Sequence, residues 1–188
     1  MRMSMAGFSW IPNALTILRC LLVAPVAWFI YQQQFVAALL TFGFAGFTDG
    51  LDGFLARRYQ WQSYLGSILD PIADKLLMTV SYIVLTAVGL LPPWLMFAVV
   101  LRDVVIILGA SVFRWLHGPY MMSPSKAGKL STFLQILLVL WLLIVQAFSL
   151  SGQAISMWLI WMTLAVTVYS GMEYVVTWFK KSKDLKSS

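Results

Sequence analysis

Four of the seven acidic residues stand in one window, Asp49 to Asp74. It reads Asp49-Gly50-Leu51-Asp52-Gly53-Phe54-Leu55-Ala56-Arg57 and then Gly66-Ser67-Ile68-Leu69-Asp70-Pro71-Ile72-Ala73-Asp74. Carboxylates set in a mostly apolar chain are costly unless something offsets their charge. Wound as helices at about 100° per residue, Asp49, Asp52, Gly53 and Ala56 share an arc of about 100°, and Gly66, Asp70 and Asp74 one of about 80°. Two such faces turned toward each other gather four carboxylates around one cavity. At close range they repel strongly, so either several are protonated or a cation joins them.

Hard divalent ions with oxygen ligands fit such a site best. Mg²⁺ is favoured, with Mn²⁺ as the substitute, because it commonly links a few carboxylates to substrate phosphates. No His or Cys lies nearby, which argues against zinc. Two ions a few ångströms apart make a clamp suited to phosphoryl-type displacement. The plainer alternative pairs the acids with Arg57, Arg58 and Lys75, but four carboxylates at these spacings with small residues between them fit a ligand site better.

The elements that must hold these residues are membrane helices. The chain has 188 residues, is 61% hydrophobic and only 11% charged, and its mean hydropathy is +0.84. A soluble domain carries roughly a quarter charged residues. Six apolar stretches, about 12–31, 35–57, 66–89, 93–115, 127–148 and 153–179, are of the length a span needs. The expected fold is all-α: one domain over 1–188, a polytopic membrane bundle of six transmembrane helices. A short segment 1–11 precedes it and a basic tail 180–188 follows. No cleavable signal peptide is expected, since the first apolar stretch continues into a full span.

Charge sets the expected orientation. The first, third and fifth connections (32–34, 89–93, 149–153) carry no Lys or Arg, whereas the second and fourth are flanked by Arg57, Arg58, Arg114, Lys126 and Lys129. Arg2 and the lysines 180, 181, 183 and 186 mark the ends. The positive-inside rule then puts both termini and the acidic window on the cytoplasmic side. The net charge of +6 reads as anchoring to a membrane surface, with no nucleic-acid partner. Trp10, Trp94, Trp158 and Trp178 read as interfacial residues. Cys20 is alone and reads as a small packing residue. His117 reads as a loop residue. A cation transporter would favour acids near mid-membrane on interrupted helices within inverted repeats, and no repeat is visible.

The window resembles the signature of the CDP-alcohol phosphotransferase (phosphatidyltransferase) family, D-x2-D-G-x2-A-R-x8-G-x3-D-x3-D. Asp49, Asp52, Gly53, Ala56, Arg57, Gly66, Asp70 and Asp74 fill every fixed place. The resemblance implies transfer of a substituted phosphate from a CDP-linked donor to an alcohol with release of CMP, two divalent ions and a homodimer. It makes Asp49, Asp52, Asp70 and Asp74 metal ligands, with Asp74 also the general base. Gly53 and Ala56 would give the nucleotide close approach, and Arg57 would meet the donor. The start Pro12-Asn13-Ala14-Leu15-Thr16-Ile17-Leu18-Arg19 is similar to that of phospholipid-synthesising members, which implies CDP-diacylglycerol as donor and Asn13, Thr16 and Arg19 among its contacts. Arg19 stands about 10 Å into its span by helical rise and needs an anionic partner there.

Arg102, Lys129 and Ser131 are the candidate acceptor-binding residues. The helix start at Ser125–Lys129 favours anions, whereas Asp103 reads as a structural partner of Arg102 or Lys75, and Glu173 as a structural acid. Members that act on glycerol 3-phosphate, the phosphatidylglycerophosphate synthases, carry Gly-Lys-x-Lys-Thr and Arg-Glu where this chain has Gly128-Lys129-Leu130-Ser131-Thr132 and Arg102-Asp103. The chain resembles more the eukaryotic-type cardiolipin synthase branch, whose acceptor is phosphatidylglycerol. A multi-pass protein of a bacterial inner membrane is expected.

Overall fold

The computed structural model describes the backbone of residues 10–59, 64–117 and 125–184, and the side chains of 14–51, 72–109, 111 and 125–177. The described chain is helical throughout: α1 (Trp10–Tyr31), α2 (Phe35–Tyr59), α3 (Tyr64–Ala87), α4 (Pro93–His117), α5 (Lys126–Ala147) and α6 (Gln153–Asp184). Among the described residues, three stretches are long and apolar enough to cross a membrane: Ala14–Tyr31, Lys126–Ala147 and Gln153–Thr177. Phe35–Leu51 is a shorter apolar stretch.

Each helix has a local reason to start or stop. The chain leaves α1, α3 and α5 through the same device. At α1, Gln34 N–H donates to Phe29 C=O (2.8 Å) and Gln33 N–H to Ile30 C=O (3.0 Å). At α3, Leu90 and Gly89 donate to Leu85 (2.9 Å) and Thr86 (3.0 Å), and at α5, Leu150 and Ser149 to Val145 (2.9 Å) and Gln146 (3.4 Å). These are Schellman closures, which need a left-handed residue. Gly89 (φ 79°) supplies one, while Gln33 (φ 57°) and Ser149 (φ 50°) adopt it despite their side chains. All three lie in the connections that lack Lys and Arg. Pro93 opens α4 where a missing N–H costs nothing. Ser125 caps α5, its hydroxyl accepting the Gly128 N–H at 3.0 Å. His117, expected in a loop, falls on the last residue of α4, within the usual uncertainty of a helix end.

The contacts form two compact units. One holds α1, α2, α3 and the end of α5; the other holds α4, α6 and the rest of α5. In the first unit α1 packs against both α2 and α3. Its buried row is Thr16, Arg19, Val23, Val26 and Ile30, and α2 meets it with Ala38, Phe42, Ala45 and Thr48. The alternation of three- and four-residue steps keeps one stripe inward, and the alanines let backbones approach closely. Leu21 and Leu40 face outward, at 67% and 68% exposure. Cys20, expected as a packing residue, is exposed, because it falls between Arg19 and Val23 on the outward face.

In the second unit α4 packs against α6. Trp94 stacks on Trp161 with ring centroids 5.2 Å apart, so Trp94 does more than sit at an interface. Trp158 is 72% exposed. A polar stripe runs through this unit: Ser131 and Gln135 on α5, and Thr163, Thr167 and Ser170 on α6, are all buried. Hydroxyls and amides on facing helices bond across the interface where no water competes.

Candidate active site

In the first unit α1 delivers a cation to the acidic helix. Arg19 is fully buried, and its Nη1 lies 2.5 Å from Asp49 Oδ1. Asp49 keeps half of its side chain exposed. This answers the expectation that Arg19 needs an anion, since the partner is the first acid of the window. One turn earlier on α1, Thr16 is also fully buried. Asp74 and Lys75 are half-buried on α3, beside the buried Ala73. Thr48, next to Asp49, turns its hydroxyl back to the Ala45 carbonyl at 2.8 Å, so it does not compete for Asp49.

The helices place the rest of the window without describing its side chains. Asp52, Gly53, Ala56 and Arg57 belong to α2, and Gly66 and Asp70 to α3. Their side chains, and that of Asn13, lie outside the described residues. Among the described residues no group of three metal-binding side chains assembles; Asp49 and Asp74 are the two members of the expected set that are described. What is described fits a hard cation in kind. Asp49 presents carboxylate oxygens, the hard donors such an ion takes, at a half-open position.

In the second unit Arg102 is the centre. It is 8% exposed. Its Nη1 donates to Asp103 Oδ1 at 2.7 Å, which bears out Asp103 as its structural partner. Its Nη2 donates to Ser170 Oγ at 2.9 Å and reaches the Gly128 carbonyl at 3.5 Å. Arg102 Nε is buried and has no hydrogen-bond acceptor among the described residues. Lys129, the next residue after Gly128, is exposed. Ser131 is fully buried; its hydroxyl is 3.1 Å from Thr167 Oγ1 and accepts from Gln135 Nε2 at 3.2 Å. Glu173 has a buried carboxylate oxygen, Oε2, without a hydrogen-bond partner among the described residues.

Three residues around Arg102 went unassigned on sequence grounds: Gly128, Ser170 and Tyr174. The signal was there. Thr163, Thr167, Ser170 and Tyr174 recur at steps of four, three and four along an otherwise apolar helix, the spacing of one buried face.

Comparison with known proteins agrees with the window. The sequence profile of the CDP-alcohol phosphatidyltransferase family matches residues 9–169. The chain is 33% identical over 184 residues to the cardiolipin synthase (CMP-forming) of Rattus norvegicus, an alignment covering 87% of this chain and 61% of that protein. It is 46% identical over 110 residues to a probable cardiolipin synthase (CMP-forming) of Drosophila melanogaster, covering 58% of this chain and 34% of that one. A chloroplastic CDP-diacylglycerol–glycerol-3-phosphate 3-phosphatidyltransferase of Oryza sativa is 38% identical over 100 residues, covering 53% and 30%. The chain thus spans only 34% and 61% of the lengths of the two cardiolipin synthases. With the family profile over most of its length and the signature filled from Asp49 to Asp74, the chain belongs to the CDP-alcohol phosphatidyltransferase family.

Proposed function

We propose that this chain transfers the phosphatidyl group of CDP-diacylglycerol to the hydroxyl of a glycerol-type acceptor and releases CMP, with phosphatidylglycerol as acceptor, so that cardiolipin forms. The observation that carries this reading is the buried Arg19 ion-paired to Asp49, which ties the lipid-donor start of α1 to the first acid of the signature. In this reading Asp49, Asp52, Asp70 and Asp74 hold two Mg²⁺ or Mn²⁺ ions, which when bound neutralise the pyrophosphate and stabilise the leaving CMP. Arg19 sets its buried positive charge beside the Asp49 carboxylate. Gly53 and Ala56 admit the nucleotide to the helix backbone, and Asn13, Thr16 and Arg57 complete the donor side.

Asp74 takes the proton from the acceptor hydroxyl. The oxygen attacks the lipid-bearing phosphorus, and the bond from that phosphorus to the CMP oxygen breaks. With no convincing covalent nucleophile in the sequence, the displacement is direct. Arg102 and Lys129 meet the acceptor's phosphate. Ser131 leaves that side with one cation fewer than the glycerol 3-phosphate pattern, which suits the single charge of a phosphodiester. The protein works as a single-domain six-span homodimer in a bacterial inner membrane, with both termini and the site on the cytoplasmic side.

Glycerol 3-phosphate is the second reading, favoured by the name of the rice relative. Purified protein with Mg²⁺ and labelled CDP-diacylglycerol, supplied in parallel with phosphatidylglycerol and glycerol 3-phosphate, separates the two. Cardiolipin and CMP are expected with the first acceptor. Phosphatidylglycerophosphate with the second alone would reassign the acceptor, and no CMP with either would sink the transferase reading.

A further inference from the structure

Arg102 is held by groups from three helices. Asp103 of its own helix and Ser170 of α6 take one donor each, at 2.7 and 2.9 Å. The third side is the start of α5. Tyr174 Oη of α6 accepts the Ser125 N–H at 3.2 Å, one residue outside the α5 helix. A Cβ placed on Gly128 would come within 3.2 Å of Tyr174 Oη, 3.3 Å of Arg102 Nη2 and 3.3 Å of Ser125 Oγ. All three contacts are tighter than ordinary van der Waals approach. Gly128 has no φ constraint to explain it; its lack of a side chain is what lets Arg102, Tyr174 and Ser125 converge. Nη1 and Nη2 each have an acceptor, whereas the buried Nε–H has none among the described residues. A buried donor without an acceptor is costly, and a phosphate oxygen would satisfy it.

We propose that Gly128, Ser170 and Tyr174 are positioning residues for Arg102: they lock its guanidinium so that Nε points its N–H at the acceptor's phosphate. Ser170 and Asp103 fix the plane of the fork. Tyr174 ties the α5 cap to α6, and Gly128 leaves room for the guanidinium beside the α5 backbone. An arginine locked in this way binds an anion without losing its own freedom at the moment of binding. This rests on the reading of Arg102 as an acceptor residue.

The test is steady-state kinetics of the full chain in detergent, varying CDP-diacylglycerol and phosphatidylglycerol separately, with thermal unfolding alongside. Loss of a hydrogen bond to a charged group is expected to raise the acceptor KM about tenfold in Ser170→Ala, with donor KM and kcat within about twofold. Ser170→Thr, which keeps the hydroxyl, is expected to restore it. Tyr174→Phe and Gly128→Ala are expected to move the acceptor KM in the same direction. If the three variants leave both KM values unchanged, or lower the melting temperature and kcat with no acceptor-specific change, the positioning role is wrong. Arg102→Gln separates the two layers. If it too leaves the acceptor KM unchanged, the underlying assignment of Arg102 fails; if it raises that KM while Ser170→Ala and Tyr174→Phe do not, only the positioning claim fails.

Discussion

Arg19 and Asp49 form an ion pair at the first acid of the window. Arg19 is fully buried, whereas Asp49 is half-exposed, so removing either partner has unequal consequences. Asp49→Ala takes one anion from a buried guanidinium that keeps a further interaction, and stability in detergent is expected to fall by about 1 kcal/mol, less than for a fully buried pair. An unchanged melting temperature would mean that Arg19 finds an equivalent anion elsewhere. Asp74 makes a different kind of claim. Asp74→Asn keeps the side-chain shape and removes the base; turnover is expected to fall by at least about a hundredfold while CDP-diacylglycerol binding, followed by equilibrium dialysis, persists. Wild-type turnover in that variant would reject Asp74 as the base.

At the scale of elements, the closures of α1, α3 and α5 make a prediction independent of chemistry. Gln33 and Ser149 sit in the left-handed region that glycine occupies at Gly89. Gln33→Gly and Ser149→Gly are each expected to raise stability, by up to about 1 kcal/mol after the added freedom of the unfolded chain is subtracted. Gly89→Ala is expected to lower it by about 1 kcal/mol although the space around it is open. Chemical denaturation in mild detergent reads all three, and a stabilised Gly89→Ala would contradict the closure. The helices themselves were legible in the sequence because apolar runs separated by Gly, Pro and polar breaks leave few alternatives. The start of α1 came two residues earlier, at Trp10, and α4 ran on to His117. What the linear pattern did not reveal was partnership. Asp103 next to Arg102 could be guessed from adjacency, but the convergence of Gly128 and Ser170 on one guanidinium joins residues 26 and 68 positions away from it, and only packing brings them together.

For the whole molecule, the segregation of charge gives the orientation a direct test. Single cysteines at Ser149 and Lys183, in a Cys20→Ser background, are expected to react with a membrane-impermeant thiol reagent from opposite sides of sealed inverted vesicles: Lys183→Cys at once, Ser149→Cys only after lysis. The reverse pattern would invert the topology. The acidic window was legible for a different reason from the helices. Eight fixed positions over 26 residues leave little room for chance, whereas the acceptor side rests on a few basic and hydroxyl residues whose meaning depends on what surrounds them. Ser131 illustrates this. It was expected to bear on the choice of acceptor, yet its hydroxyl is spent on Thr167 and Gln135 inside the helix pair.

The most direct test of the transfer reaction is CMP release by the purified chain from CDP-diacylglycerol and phosphatidylglycerol, with and without Mg²⁺. Stoichiometric CMP and cardiolipin are expected with the metal, and loss of both on chelation, restored by Mg²⁺ or Mn²⁺. CMP release that persists undiminished after chelation, or cardiolipin formed without CMP, would contradict a metal-dependent phosphatidyl transfer at the Asp49–Asp74 site.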